Sequence, residues 1–339
     1  LFKSWFNRLT SPSLDWIQVE VSSHCNAGCL YCPHTLLQDQ WNSQHLSLDL
    51  FERLVPYFSK TGLVFLQGWG EPFLCPDLMK MIALAKDAGC RVGTTTNGML
   101  LDEKTVQQLI ALQLDTLCIS LAGTNSANDR IRKGTSLRRL LETLGMISDM
   151  KKKSNSLYPE INIAYLVLRS GLEDLNRLPD MLSGLGIADI ILSTLDFVPQ
   201  GPLAEEVVRP RSKEEFNALS RRLSAVKEKA MDHGINLCYH LVNPFAPCLV
   251  CTENIEKAVF ISSTGAVSPC VFTNLPIDFN EDQANGTFQS YQPLIFGNIQ
   301  ELTLPQIWQS KSYKQFRTSF LQCSPPAPCK TCPKLFIGC

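Results

Sequence analysis

An α/β fold is predicted for this chain: a parallel sheet flanked by helices, followed by a small cysteine-rich α+β domain. Three observations point there. Strand-like and helix-like segments alternate from Trp16 to about Ser193, the pattern of a parallel sheet with helices outside it. From about Phe245 onward the long periodic segments give way to Pro and Cys. The 339 residues, 45% of them apolar, suffice for one large domain with an appendage.

Each element has its own signal. Asp15–Val21 alternates and is rich in β-branched residues, the mark of a first strand. Gly62–Gln67 reads as the second, with a helix over 76–88 closed by Gly89. Arg91–Thr96 is the third, and a helix over 102–112 opens on an aspartate suited to cap it. Asp115–Ser120 is the fourth, followed by a long helix over 136–152. Glu160–Leu168 and Ile187–Ser193 are the fifth and sixth, with 172–182 helical between them. The acidic, Pro- and Gly-rich stretch 196–210 is a linker or lid, and 212–233 a charged amphipathic helix. Residues 1–15 are then an N-terminal extension containing a surface helix, 16–240 the α/β domain, and 241–339 the cysteine-rich domain.

A net charge of −1 gives no basic field for nucleic acid or a lipid surface. Neither an apolar run of about 20 residues nor a signal-peptide layout is visible. A cytoplasmic protein without membrane or nucleic-acid partners is expected. Fourteen cysteines then need an explanation other than disulfides. Cys75, Cys90, Cys118 and Cys238 lie in or beside apolar stretches and read as small core residues. The others gather near the two ends of the chain.

Cys25, Cys29 and Cys32 follow the first strand with the spacing C-x3-C-x2-C. Three thiolates in one tight loop with no fourth suit a 4Fe–4S cluster that keeps one iron open to a non-protein ligand. Zinc, the alternative, prefers a closed set of four ligands. His24 and His34 stand too near the cysteines to close such a set.

The run His24-Cys-Asn-Ala-Gly-Cys-Leu-Tyr-Cys-Pro33 resembles the signature of the radical S-adenosylmethionine (radical SAM) enzymes. That resemblance implies a partial (β/α)6 barrel, open on one side, with ligands at the C-terminal ends of its strands. It implies that the open iron chelates SAM's methionine. Cleavage then yields a 5′-deoxyadenosyl radical that takes hydrogen from a substrate, and Tyr31 packs under the adenine. Gly68-Trp-Gly-Glu-Pro72 resembles the family's Gly-Gly-Glu-Pro motif, with Trp69 in place of the second Gly and Gly70 inserted. Gly68 and Gly70 would expose carbonyls to SAM's ammonium, and Glu71 would fix the turn or meet that ammonium. Thr96 and Asn97, in Thr95-Thr-Asn-Gly98, could bind the ribose. Ser120-Leu-Ala-Gly123 is similar to Ser-(Ile/Leu)-Asp-Gly, making Ser120 a candidate for the ribose or the SAM carboxylate. In Asn128–Gly134, Arg132 is the candidate partner of that carboxylate, with Arg130 as a near alternative. Val198-Pro-Gln-Gly201 would touch adenine or substrate.

The distal cysteines flank a hairpin over 258–270 that turns at Thr264-Gly265. This region resembles the SPASM or twitch appendage, which carries auxiliary clusters. The resemblance implies one auxiliary 4Fe–4S cluster on Cys251, Cys270, Cys329 and Cys332. Cys248, Cys323 and Cys339 would substitute for a ligand or hold part of a second cluster, and a structural zinc is the rival. The implied activity is oxidation or crosslinking of a peptide or protein, or a step in cofactor or natural-product biosynthesis. Flavodoxin or ferredoxin would supply electrons. Two alternatives are a twitch-type dehydrogenase of a small alcohol or sugar and a non-catalytic electron carrier. The sulfatase-maturing branch fits less well: its basic Asp after the hairpin cysteine is Val271 here, with Asp278 seven residues on.

Overall fold

The computed structural model describes residues 13–195, 202–239, 241, 249–277, 291, 293–330, 332 and 334–337. Its strands are β1 (Leu14–Val19), β2 (Gly28–Cys29), β3 (Thr61–Leu66), β4 (Arg91–Thr96), β5 (Thr116–Leu121), β6 (Arg132–Lys133), β7 (Glu160–Val167), β8 (Ile187–Thr194), β9 (Asn236–Tyr239), β10 (Leu249–Cys251), β11 (Ala258–Ile261), β12 (Ala266–Ser268), β13 (Gly297–Asn298) and β14 (Leu335–Ile337). All six strands expected of the α/β region are present. The chain forms two compact units, interleaved along the sequence.

The first unit comprises 1–25, 37–94 and 249–335. Its central strand, β1, runs parallel to β3 on one side and to β11 on the other, with Ile17 opposite both Val64 and Val259. β3 continues parallel to β4. β11 turns through Gly265, at φ +80, into antiparallel β12, which pairs with β13. The turn falls at the expected residue. Ile17 and Val19, like Val64 and Leu66, are fully buried, whereas Gln18 and Phe65 between them are only half-buried, so one face of each strand carries the core. The helix Leu78–Asp87 lays Leu78, Met81, Ile82 and Ala85 on one buried stripe and stops one residue before Gly89, whose φ is +79.

The second unit comprises 26–36, 95–248 and 336–339. β5, β7, β8 and β9 are parallel in that order. Asp102, Ser136 and Ser212 cap the helices Glu103–Ala111, Leu137–Lys153 and Lys213–Asp232 through side-chain bonds to backbone N–H groups. The expected helix over 172–182 begins as a 3-10 turn, Glu173–Arg177, and becomes α-helical at Leu178.

Two details depart from the sequence reading. β9 is a further parallel strand, four residues long. Cys238 on β9 is exposed, whereas Cys75, Cys90 and Cys118 are buried as expected. The reason is alternation along an edge strand: Leu237 faces the core, so Cys238 faces away. Among the described residues no helix is long and apolar enough to cross a membrane.

Candidate active site

In the second unit the cysteine loop is held at several points. Gly28 and Cys29 on β2 pair antiparallel with Lys133 and Arg132 on β6. The Leu30 N–H donates to the Ile131 carbonyl at 2.9 Å, and the Cys32 N–H to the Cys29 carbonyl at 3.1 Å. Asn97, just past β4, donates from Nδ2 to Asn26 Oδ1 at 2.7 Å while its own Oδ1 accepts from the Met99 N–H. Thr96 is buried, and its hydroxyl accepts from the Gly98 N–H at 3.0 Å.

Arg132 is buried and donates from Nη1 to the Tyr31 hydroxyl. Burial pushes the Tyr31 phenol above its usual range, while the Arg132 charge pulls it the other way. Arg130 is exposed, bonds to Ser126 Oγ at 3.1 Å, and stands in the wall of a cavity.

That cavity, about 520 Å³, opens at the C-terminal ends of β5 and β7. Leu30 of the cysteine loop, Gly123 and Asn125 after β5, Tyr165 on β7, and Asp174 and Glu206 line it. Asp174 Oδ2 accepts from Asn125 Nδ2 at 2.8 Å, and Glu206 Oε2 accepts from the Ser170 N–H at 2.9 Å. A Cβ on Gly123 would lie 2.7 Å from the Asn128 nitrogen. Buried Asn128 accepts from the Ala122 N–H at 3.0 Å, which fixes the turn at this rim. Ser120 is half-buried on β5. An apolar cleft with a few placed polar groups at strand C-termini is the usual form of a small-molecule site.

In the first unit the Gly68–Pro72 turn packs against the backbone that precedes Cys25. A Cβ on Gly70 would meet the carbonyl oxygens of Ser22 and His24 at 2.4 Å, and one on Gly68 would overlap the Glu20 side chain. The Glu71 N–H donates to the His24 carbonyl at 2.7 Å, and its Oε1 accepts from the Phe73 N–H. Glu71 thus ties the turn to the backbone before Cys25 through its N–H and caps the residues after it through its carboxylate.

Glu20 escaped the sequence reading. It is fully buried; Oε1 accepts from the Trp69 N–H at 2.8 Å, and Oε2 accepts from the Ser263 N–H and hydroxyl at 3.2 and 3.0 Å. It therefore joins the end of β1 to the glycine turn and to the hairpin. Burial raises its pKa above the carboxylate norm, against the pull of these three donors. The folded protein therefore keeps this proton to higher pH than the unfolded chain does. Stability from this group is lost as pH rises from the unfolded value through the folded one. Denaturant titrations across that window should show a falling slope that Glu20→Gln flattens; an identical slope in both proteins would remove Glu20 as its source.

Also in the first unit, Cys251 and Cys332 lie within electrostatic reach of each other and of both Cys270 and Cys329. Burial, reinforced by neighbouring thiolates, pushes Cys251 up to about 11 and Cys329 up to about 12. Cys270 is also raised well above the usual thiol range, first by burial and next by the Glu253 charge. Lys334 Nζ stands 3.5 Å from Glu253 Oε1. Cys323 is exposed, with φ +53, beyond the helix Lys311–Leu321. Cys248, Cys339, Asp278 and the Val198–Gly201 segment lie outside the described residues.

The donor chemistry fits iron–sulfur clusters in both places. All these described cysteines are free thiols. Half-buried thiols such as Cys251, Cys270 and Cys329, whose ionisation burial opposes, are suited to deprotonation by bound metal. Among the described residues no three His, Cys, Asp or Glu side chains converge so as to hold a single ion. A cube binds its thiolates on separate irons and asks for no such convergence.

Comparison with known proteins agrees. The radical SAM superfamily model matches residues 19–162, and the model of the SPASM iron–sulfur cluster-binding domain matches 251–333. The tungsten-containing aldehyde ferredoxin oxidoreductase cofactor-modifying protein of Pyrococcus furiosus is 23% identical over 90% of this chain and 83% of its own length. The PqqA peptide cyclase of Gluconobacter oxydans is 23% identical over 96% of this chain and 84% of its own. The structure of Streptococcus suis SuiB bound to S-adenosylmethionine shares the fold, with a TM-score of 0.64 at 15% identity, over 97% of this chain and 73% of SuiB. The chain therefore carries a radical SAM domain followed by a SPASM domain: it is an enzyme that uses a 4Fe–4S cluster and S-adenosylmethionine, with a SPASM domain that binds auxiliary iron–sulfur clusters.

Proposed function

We propose that Cys25, Cys29 and Cys32 hold the SAM-binding 4Fe–4S cluster, and that Cys251, Cys270, Cys329 and Cys332 hold one auxiliary 4Fe–4S cluster. The reaction is oxidation or crosslinking of a peptide or of a cofactor precursor. When bound, the cluster and SAM supply a 5′-deoxyadenosyl radical that abstracts hydrogen from this substrate. The protein's part is positioning. The β2–β6 ladder and Asn97 hold the cysteine loop in place. Arg132 orients Tyr31 for the adenine, and the cavity behind Leu30 receives SAM's nucleoside, with Ser120 directed to the ribose. A flavodoxin or ferredoxin supplies the electron.

The observation that carries this reading is the cysteine loop, braced against β6, with Leu30 in the wall of a cavity at the strand ends. The substrate class is supported by relatives named for modifying a peptide and a cofactor. Anaerobically reconstituted protein with dithionite and SAM should form 5′-deoxyadenosine. Deuterated precursor peptides or cofactor precursors should then pass label into it. Label arriving only from small alcohols or sugars would overturn the substrate class, and no 5′-deoxyadenosine at all would overturn the site assignment.

A further inference from the structure

From Leu302 to Cys339 the chain has no acidic residue and five basic ones: Lys311, Lys314, Arg317, Lys330 and Lys334. The whole protein has a net charge of −1, so this segment is a local reversal of sign. The same segment supplies Cys329 and Cys332.

The charges are not spread evenly in space. Lys311 and Lys314 are exposed on the helix Lys311–Leu321 and form no ion pair among the described residues. Together with Gln315, Thr318 and Gln322 they line an open groove of about 680 Å³. At the end of this helix Leu321 is 68% exposed. The opposite face is buried and aromatic: Tyr313 stacks on Phe296 at 4.2 Å, and the Trp308 ring lies 5.0 Å from Tyr313. The Tyr313 hydroxyl reaches the Ser268 carbonyl at 3.4 Å, two residues from Cys270. One helix thickness and one aromatic ring therefore separate the basic surface from the backbone that carries an auxiliary ligand.

An exposed groove that carries lysines and no carboxylate suits steered docking of an acidic protein, with charge governing the encounter and salt suppressing it. A surface this near the auxiliary thiols also suits exchange of electrons. We infer that the face of Lys311–Leu321 bearing Lys311 and Lys314 is the docking site of an acidic one-electron carrier of the flavodoxin or ferredoxin type. One electron passes at each encounter: the reduced carrier is oxidised by one electron, and the enzyme's iron–sulfur complement is reduced by one. The inference rests on the ligand assignment proposed above for Cys270, Cys329 and Cys332.

The test uses the full chain, reconstituted anaerobically, and an acidic flavodoxin as probe. Binding is measured by biolayer interferometry at low and high salt, for the wild type and for Lys311→Glu/Lys314→Glu. Both lysines are exposed, so the double variant should fold normally. The wild type should bind in a salt-sensitive manner, and the variant should bind about tenfold more weakly at low salt. 5′-Deoxyadenosine formation driven by reduced flavodoxin should fall in the variant, while formation driven by dithionite stays unchanged. Equal flavodoxin binding by both proteins would overturn the docking site. So would wild-type binding of an acidic peptide or RNA, but not of flavodoxin, through these lysines. Failure of the dithionite reaction in the wild type would instead count against the Cys25, Cys29 and Cys32 assignment, and an unchanged iron content in Cys270→Ala against the auxiliary one on which this inference rests.

Discussion

Cys29→Ala abolishes 5′-deoxyadenosine formation and lowers the iron content by about four atoms per chain, one cube's worth. Cys29 is the loop cysteine whose position is most constrained. It is buried, it pairs with Arg132 in the β2–β6 ladder, and its carbonyl accepts from the Cys32 N–H. Without its thiolate a cube at this loop would be left with two of its three assigned protein ligands. The change should cost the fold little, since the ladder is made by backbone groups and Ala fits where Cys did. Cys270→Ala supplies the contrast. It should also lose iron, yet still cleave SAM under dithionite while failing to convert substrate. Iron analysis and chromatography of the nucleoside distinguish the two. A Cys29→Ala protein that kept both its iron and its nucleoside product would end the assignment of this loop.

The parts of this molecule legible in sequence are those whose chemistry is local. The cysteine loop announces itself because type and spacing are both visible within eight residues, and the first strand because its alternation and β-branched residues are visible in a short run. The residues that hold the loop were hidden for the opposite reason. Asn97 meets Asn26 across 71 positions, and Asn128 reaches back to Ala122 only because helix Ala127–Ile131 folds under the β5 turn. Glu20 is the clearest case. A glutamate at the end of a strand reads as solvent-facing, and only the approach of Trp69 and Ser263 makes it a buried hub. Arg132 stands out in the sequence as a candidate partner for a carboxylate, but its bond to Tyr31 does not, since β6 and the cysteine loop are about a hundred residues apart. β9, at four residues, is too short to show a period.

Gly70→Ala should destabilise the protein by about 3 kcal/mol, although it adds a single methyl group. The sequence suggests that this glycine exposes a carbonyl to a ligand; the packing supplies a second and stricter reason. The added carbon would sit 2.4 Å from two carbonyl oxygens and 2.7 Å from the Ser23 carbonyl carbon, all of them backbone atoms. A flexible side chain could rotate away, but here a segment of backbone must move. That segment is Ser22–His24, which leads directly into Cys25. The strain should therefore reach the cysteine loop, lowering iron retention as well as the denaturation midpoint. Gly145→Ala is the matched control. Gly145 lies inside the helix Leu137–Lys153 with open space around its missing Cβ, so alanine there should stabilise by about 0.5–1 kcal/mol through helix propensity alone. Anaerobic urea titrations of the two variants should move in opposite directions. If Gly70→Ala matched the wild type in both midpoint and iron content, the glycine turn could not be what fixes the approach to Cys25.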